Sequence, residues 1–137
     1  MQTTTAPIKH RIFSQSKVLL LESDRNNSIY LVDSLKLLNC DCLIASDTML
    51  ALSLAQQEQP DSILIDLQMP QINGVELLKI LRIDWLTRDI PIIAITTSIA
   101  IDQAVLEAEF DDYLLKPYTR KDLQKAIANN FSNAIAN

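Results

Sequence analysis

Glycine is almost missing from this chain of 137 residues: there is one, Gly74, where average usage of about 7% would give roughly ten. The dinucleotide fingerprint and the P-loop each need two or more glycines at fixed spacing, so neither phosphate-cradling loop can be written here. Any dealing with phosphate must run through other groups. Cys40 and Cys42 are the only two cysteines, too close for a disulfide framework and without the partners of a zinc site. They fit reduced thiols in a cytoplasmic protein, and small buried hydrophobes are their default role. No apolar run reaches the roughly 18 residues of a membrane span, and residues 1–16 lack the apolar stretch of a signal peptide. Basic residues are also short, 12 against 17 acidic for a net charge of −5, which argues against a nucleic-acid footprint. The single histidine, His10, falls in the polar start of the chain, where solvation is expected.

What is present is the balance of a folded soluble domain, 48% hydrophobic and 21% charged. The length suits one domain: residues 1–16 read as a polar tail with a short apolar patch at Ile12 and Phe13, and 17–137 as the folded unit. Short apolar runs predict strands at 17–21, 42–45, 62–65, 90–95 and 113–115. Apolar residues at helical spacing predict helices at 25–38, 48–58, 75–83, 101–110 and 119–131. Ser23 and Asp24 are candidate caps for the first helix. Met49, Leu52 and Leu54 or Ala55 are expected to face inward from the second, and Trp85 to pack near the loop after the third. Strands without polar alternation, separated by helices, imply a doubly wound α/β domain, a five-stranded parallel sheet with helices on both faces.

In such sheets the chemistry lies beyond the carboxyl ends of the strands. There the sequence places Glu22, Asp66, Thr96 and Lys116: two carboxylates, a hydroxyl and an ammonium. Paired carboxylates without His or Cys suit Mg2+ held with water and phosphate. A carboxylate is also a competent nucleophile toward phosphorus, with the lysine neutralising charge on the transferring group. The adjacent acids Asp111 and Asp112 precede a strand at the opposite end of the sheet and read as solvated turn residues.

The run Ile65-Asp66-Leu67-Gln68-Met69-Pro70 with Asn73-Gly74 behind it, the acid after the first strand, the Thr ending the fourth and the Lys116-Pro117 pair together resemble the receiver domain of two-component response regulators, over about residues 17–131. The resemblance implies a flavodoxin-like sheet of order 2-1-3-4-5 and phosphorylation of Asp66 by a histidine kinase or phosphotransfer protein. It implies Mg2+ on Glu22, Asp66 and the backbone carbonyl of Gln68, with Thr96 bonding the phosphoryl oxygen and Lys116 pairing with it. Tyr113 would be the aromatic switch, and the Lys116–Pro117 bond would be cis. Output would pass to a downstream protein through the face of the fourth helix (101–110), the fifth strand and the fifth helix. A homodimer stays open, and neither nucleic acid nor membrane is a partner. The reading is a single-domain phosphoacceptor signalling protein and no enzyme, since 137 residues leave no room for a DNA-binding domain.

Two departures stand out. Ser23 replaces the second acid usual in the metal site, where it would act only through a metal-bound water, and Glu109 replaces a usual glycine, so it must tolerate or avoid positive φ. The first keeps an alternative open, a pseudo-receiver that binds partners without phosphorylation. A dehalogenase-like phosphatase needs a second Asp two residues after the nucleophile, where this chain has Gln68. Bland roles attach to the same residues: Thr96 as a β-former, Tyr113 as a half-buried core aromatic, Ser23 as an N-cap.

Overall fold

The computed structural model describes residues 16–70, 72–97 and 108–135, the last five as backbone only. Among these residues are five strands, β1 (Ser16–Leu21), β2 (Cys40–Ala45), β3 (Ser62–Asp66), β4 (Ile92–Thr96) and β5 (Asp112–Leu115), with helices α1 (Arg25–Leu37), α2 (Thr48–Glu58) and α3 (Gly74–Ile83) joining the first four strands and α4 (Arg120–Ile135) following β5. All strand pairs are parallel, in the order β2-β1-β3-β4-β5, as expected. Residues 101–107 of the expected fourth helix, His10, Ile12 and Phe13 lie outside the described residues. Ala108 to Phe110, the end of that expected helix, is turn and loop.

The period of two along each strand sorts the core into two layers. Leu19, Leu21, Ile63, Ile65, Ile92 and Ala94 point to one face and meet Ala51 and Ala55 of α2 and Leu77, Leu78 and Leu81 of α3. Val18, Leu20, Leu64, Ile93, Ile95 and Leu114 point to the other and meet Leu31 and Leu35 of α1 and Leu123, Ala126 and Ile127 of α4. Every residue of β3 and β4 is buried, so the apolar runs 63–65 and 92–95 of these adjacent interior strands each lead into a polar residue at the tip. That burial places Asp66 and Thr96 at the strand tips.

Several local expectations are corrected. Asp24 alone caps α1, its Oδ1 accepting from the amides of Asn26 and Asn27 at 2.8 and 3.2 Å, because the helix starts at Arg25 and places Asp24, with extended backbone, at the N-cap position; Ser23 is not the cap. Met49 is 83% exposed, since the inward stripe of α2 starts at Ala51. Trp85 stands out at 75% exposure, while Thr87 closes the same loop by donating its hydroxyl to Leu81 O at 2.7 Å. Asp111 is a clasp: its Oδ2 accepts from the amide of Ile92 at 2.7 Å and from the Arg82 guanidinium. Strand β2 opens at Cys40, which is buried, and both cysteines face the α1/α4 layer. Helix α4 opens with a reciprocal capping box: Thr119 N–H donates to Asp122 Oδ2 at 2.9 Å, and Asp122 N–H donates to Thr119 Oγ1 at 3.1 Å.

Scarcity of glycine leaves its mark on the backbone. Asn39, Gln59 and Glu109 occupy the left-handed region at φ of 63°, 48° and 64°, positions that glycine fills at lower cost. Glu109 therefore tolerates the positive φ. Gly74 itself has no positive φ. It is small for a different reason: a Cβ there would meet Leu67 Cδ2 at 2.6 Å and Ile65 Cγ2 at 3.0 Å. The first turn of α3 presses directly on the segment carrying Asp66.

Candidate functional site

The four polar residues expected at the strand tips come together at the carboxyl edge of β1, β3, β4 and β5. Asp66, ending β3, is 2% exposed. Its Oδ1 accepts from the amide of Gln68 at 2.8 Å, and its Oδ2 accepts from Lys116 Nζ at 2.8 Å. Lys116 is held in turn by its own amide, which donates to Thr96 O at 2.8 Å, and the Lys116–Pro117 bond is cis. Thr96 is buried at the end of β4. Tyr113 lies three residues before Lys116 on β5, half-buried and edge-on to Phe110 with ring centroids 5.9 Å apart. Burial pushes its phenol above the ordinary tyrosine range.

Glu22, just past β1, is 4% exposed. Its Oε2 accepts from the amide of Asp24 at 3.1 Å, whereas Oε1 is buried with no hydrogen-bond partner. Burial pushes its carboxyl up to about 7, and hydrogen bonding and charge from neighbouring Asp66 push the same way. Two buried carboxylates thus share one ammonium. That arrangement is short of positive charge, and it leaves Glu22 Oε1 without a donor beside a second carboxylate.

A hard dication answers both deficits. Two carboxylates are oxygen donors of the kind Mg2+ takes, a set that the Gln68 carbonyl and water could complete, and the orphaned Oε1 gives the fit a structural basis. No group of three or more His, Cys, Asp or Glu that could hold a metal occurs among the described residues. Ser23, next to Glu22, adds no third carboxylate; it is exposed and makes no hydrogen bond among the described residues.

Two features of the site carried no signal in the sequence. The side chain of Gln68 reaches across the cleft, Nε2 donating to Thr97 Oγ1 at 2.7 Å. Tyr118, after the cis proline, stacks in tilted fashion with Tyr30 of α1 at 5.8 Å. Together with Asn27, Thr97, Lys116 and Pro117 the two rings line an open cavity of about 400 Å³ beside the cleft. Both contacts pair residues from distant segments, and neither side chain lies on a periodic apolar stripe.

Comparison with known proteins agrees with this architecture. Residues 18–128 match the family described as response regulator receiver domain. The chain is 32% identical over 108 residues to the phosphate regulon transcriptional regulatory protein PhoB of Pseudomonas aeruginosa, covering 77% of this chain and 47% of that protein. It is also 32% identical over 109 residues to the transcriptional regulatory protein PrrA of Mycobacterium tuberculosis, covering 78% and 46%. The chain spans about half the length of these curated relatives. Among solved structures, the receiver domain of the sensor histidine kinase PA1611 of Pseudomonas aeruginosa, with a magnesium ion coordinated in its active site cleft, superposes with a TM-score of 0.79 at 27% identity, covering 87% of this chain and 99% of that one. The receiver domain of Francisella response regulator 1452 gives 0.76 at 28%, covering 88% and 99%.

Proposed function

The chain belongs to the response regulator receiver domain family of two-component signalling, and from that footing we propose that Asp66 is its phosphoacceptor, with Mg2+ bound by Glu22, Asp66 and the Gln68 carbonyl. The observation that carries this reading is the pairing at the tip of β3. A buried carboxylate is fixed from both sides by Lys116 Nζ and Gln68 N–H, beside a second carboxylate with one oxygen unpartnered. Bound Mg2+ would supply charge neutralisation for the incoming phosphoryl group, and Ser23 would reach it only through a water.

The protein's own residues divide the remaining work. An Asp66 carboxylate oxygen forms the O–P bond as the P–N bond of a donor phosphohistidine breaks, and the imidazole leaves with the electron pair and takes up a proton. Lys116 keeps its ammonium against the added negative charge, where a preplaced cation in a water-poor cleft is most effective. Thr96 donates its hydroxyl to a phosphoryl oxygen, and its shift is followed by the ring of Tyr113, so modification moves a population between two arrangements. The donor is a histidine kinase or a phosphotransfer protein. The output is altered binding of a downstream protein on the face that includes β5 and α4.

The unpartnered Oε1 favours this reading over a phosphorylation-independent interaction module, which would gain nothing from an uncompensated buried acid. Acetyl phosphate with Mg2+ is expected to add the mass of one phosphate to the chain, and Asp66→Asn to add none. An equal mass gain in Asp66→Asn would overturn the assignment.

A further inference from the structure

Hydrogen bonds close a ring around Asp66. Its Oδ2 is bound by Lys116 Nζ at 2.8 Å, Lys116 N–H is bound to Thr96 O at 2.8 Å, Thr97 follows Thr96, Thr97 Oγ1 is bound by Gln68 Nε2 at 2.7 Å, and Gln68 N–H returns to Asp66 Oδ1 at 2.8 Å. Three segments that leave the sheet at separate strand tips are therefore tied to one carboxylate. Of the four bonds, the one between Gln68 and Thr97 alone joins two uncharged side chains. It is also the only one that fixes the chain just past Thr96 to the segment just past Asp66 through side chains.

We propose that the Gln68 side chain is a positioning residue, a brace that holds the end of β4 in its unmodified arrangement and that a phosphoryl group on Asp66 must work against. This rests on the phosphoacceptor reading and adds to it a regulatory element of the same site. Esterification of Asp66 removes one of its carboxylate acceptors and gives Lys116 new oxygens to follow, so the ring loosens on the lysine side. Movement of Thr96 toward the phosphoryl group carries Thr97 with it. The Gln68–Thr97 bond either stretches or breaks, and its strength is subtracted from the switch. The brace sits at the mouth of the cleft, since both residues are exposed while Asp66 and Thr96 beneath them are buried. It is therefore free to open without disturbing the core.

A net hydrogen bond between neutral side chains shifts an equilibrium by roughly two- to tenfold. Gln68→Ala keeps the backbone carbonyl and N–H, and Thr97→Val keeps the shape of Thr97. Each is expected to bind the phosphoryl analogue beryllium trifluoride, with Mg2+, about two- to tenfold more tightly than the unsubstituted chain. Thr97→Ser, which keeps the hydroxyl, is expected to behave as the unsubstituted chain does. The double variant is expected to match either single one, because the same bond is lost once. A second measurement needs no phosphoryl group: the Lys116 amide, bound to Thr96 O, is expected to exchange its proton faster in Gln68→Ala and Thr97→Val, and at an unchanged rate in Thr97→Ser.

Unchanged exchange in both disruptive variants overturns the brace. So do additive effects on analogue affinity, or weaker analogue binding in the single variants. Failure of the unsubstituted chain to take the analogue overturns the phosphoacceptor reading, and the switching role falls with it; the exchange comparison still decides whether the bond restrains the β4 end.

Discussion

Glu22→Gln separates what the metal-free cleft costs the fold from what it offers a cation. Glu22 is 4% exposed, its Oε1 has no partner, and its neighbour is the carboxylate of Asp66. An unsatisfied buried polar atom costs about 1–3 kcal/mol, and more when charged. Gln has nearly the same shape, and its amide can donate toward Asp66 where the carboxylate repels. Without Mg2+ at pH 8, Glu22→Gln is expected to be more stable than the unsubstituted chain by about 1–3 kcal/mol.

The pH dependence has a definite sign. A carboxyl whose folded value is raised to about 7 binds more protons in the folded state than in the unfolded state between its ordinary range and 7, so stability falls as pH rises through that window. The advantage of Gln is therefore expected to shrink toward zero near pH 5, where folded Glu22 is protonated, and to be fully present above about pH 7. Added Mg2+ is expected to reverse the order. It stabilises the unsubstituted chain by mass action, by about 2.7 kcal/mol at a hundredfold excess over Kd, and stabilises Glu22→Gln far less. Urea denaturation at pH 5 and pH 8, with and without Mg2+, measures all four quantities. A metal-free unsubstituted chain more stable than the variant at pH 8, or an equal gain from Mg2+ in both, would refute the reasoning.

Two glycine substitutions are expected to act in opposite directions. Glu109→Gly relieves a left-handed residue at φ 64° and is expected to stabilise by about 0.5–1 kcal/mol in urea denaturation; destabilisation would show that Glu109 contributes through its side chain. Gly74→Ala forces a Cβ to within 2.6 Å of Leu67 Cδ2 and 3.0 Å of Ile65 Cγ2 and is expected to destabilise by about 1–3 kcal/mol, with partial recovery in a Gly74→Ala, Leu67→Ala pair. Burial pushes the Cys40 thiol up to about 12 and the Cys42 thiol up to about 11, so neither is expected to react appreciably with iodoacetamide at pH 8 until denaturant is added. Rapid labelling of the native chain would contradict the packed β2 edge.

The fold was legible because its signals are local and repetitive. Apolar runs in β3 and β4 require cover on both faces, and helical stripes between strands supply it, so parallel order and polar strand tips follow from the residues themselves. Glu22, Asp66, Thr96 and Lys116 could be placed at one edge for the same reason. Errors gathered where two residue types fit one slot. Ser23 and Asp24 are both good caps, and the point at which the helix starts chose Asp24. Met49 and Trp85 are apolar yet exposed, because hydrophobicity states a preference for burial and the phase of a helix or the course of a loop decides it.

The sequence by itself determined the layered sheet, the identity of the acidic and basic groups at its tips and the exclusion of glycine-loop nucleotide binding, since each depends on residue type and short-range period. The tertiary structure alone decided the charge imbalance of the cleft, the unpartnered Oε1 of Glu22, the space that keeps residue 74 a glycine and the bond from Gln68 to Thr97. Each of these is a distance between side chains 29 to 50 residues apart or a contact made by packing one element on another. Spacing along a chain carries no record of such distances, because they are set by how the strands register and how closely the helices approach.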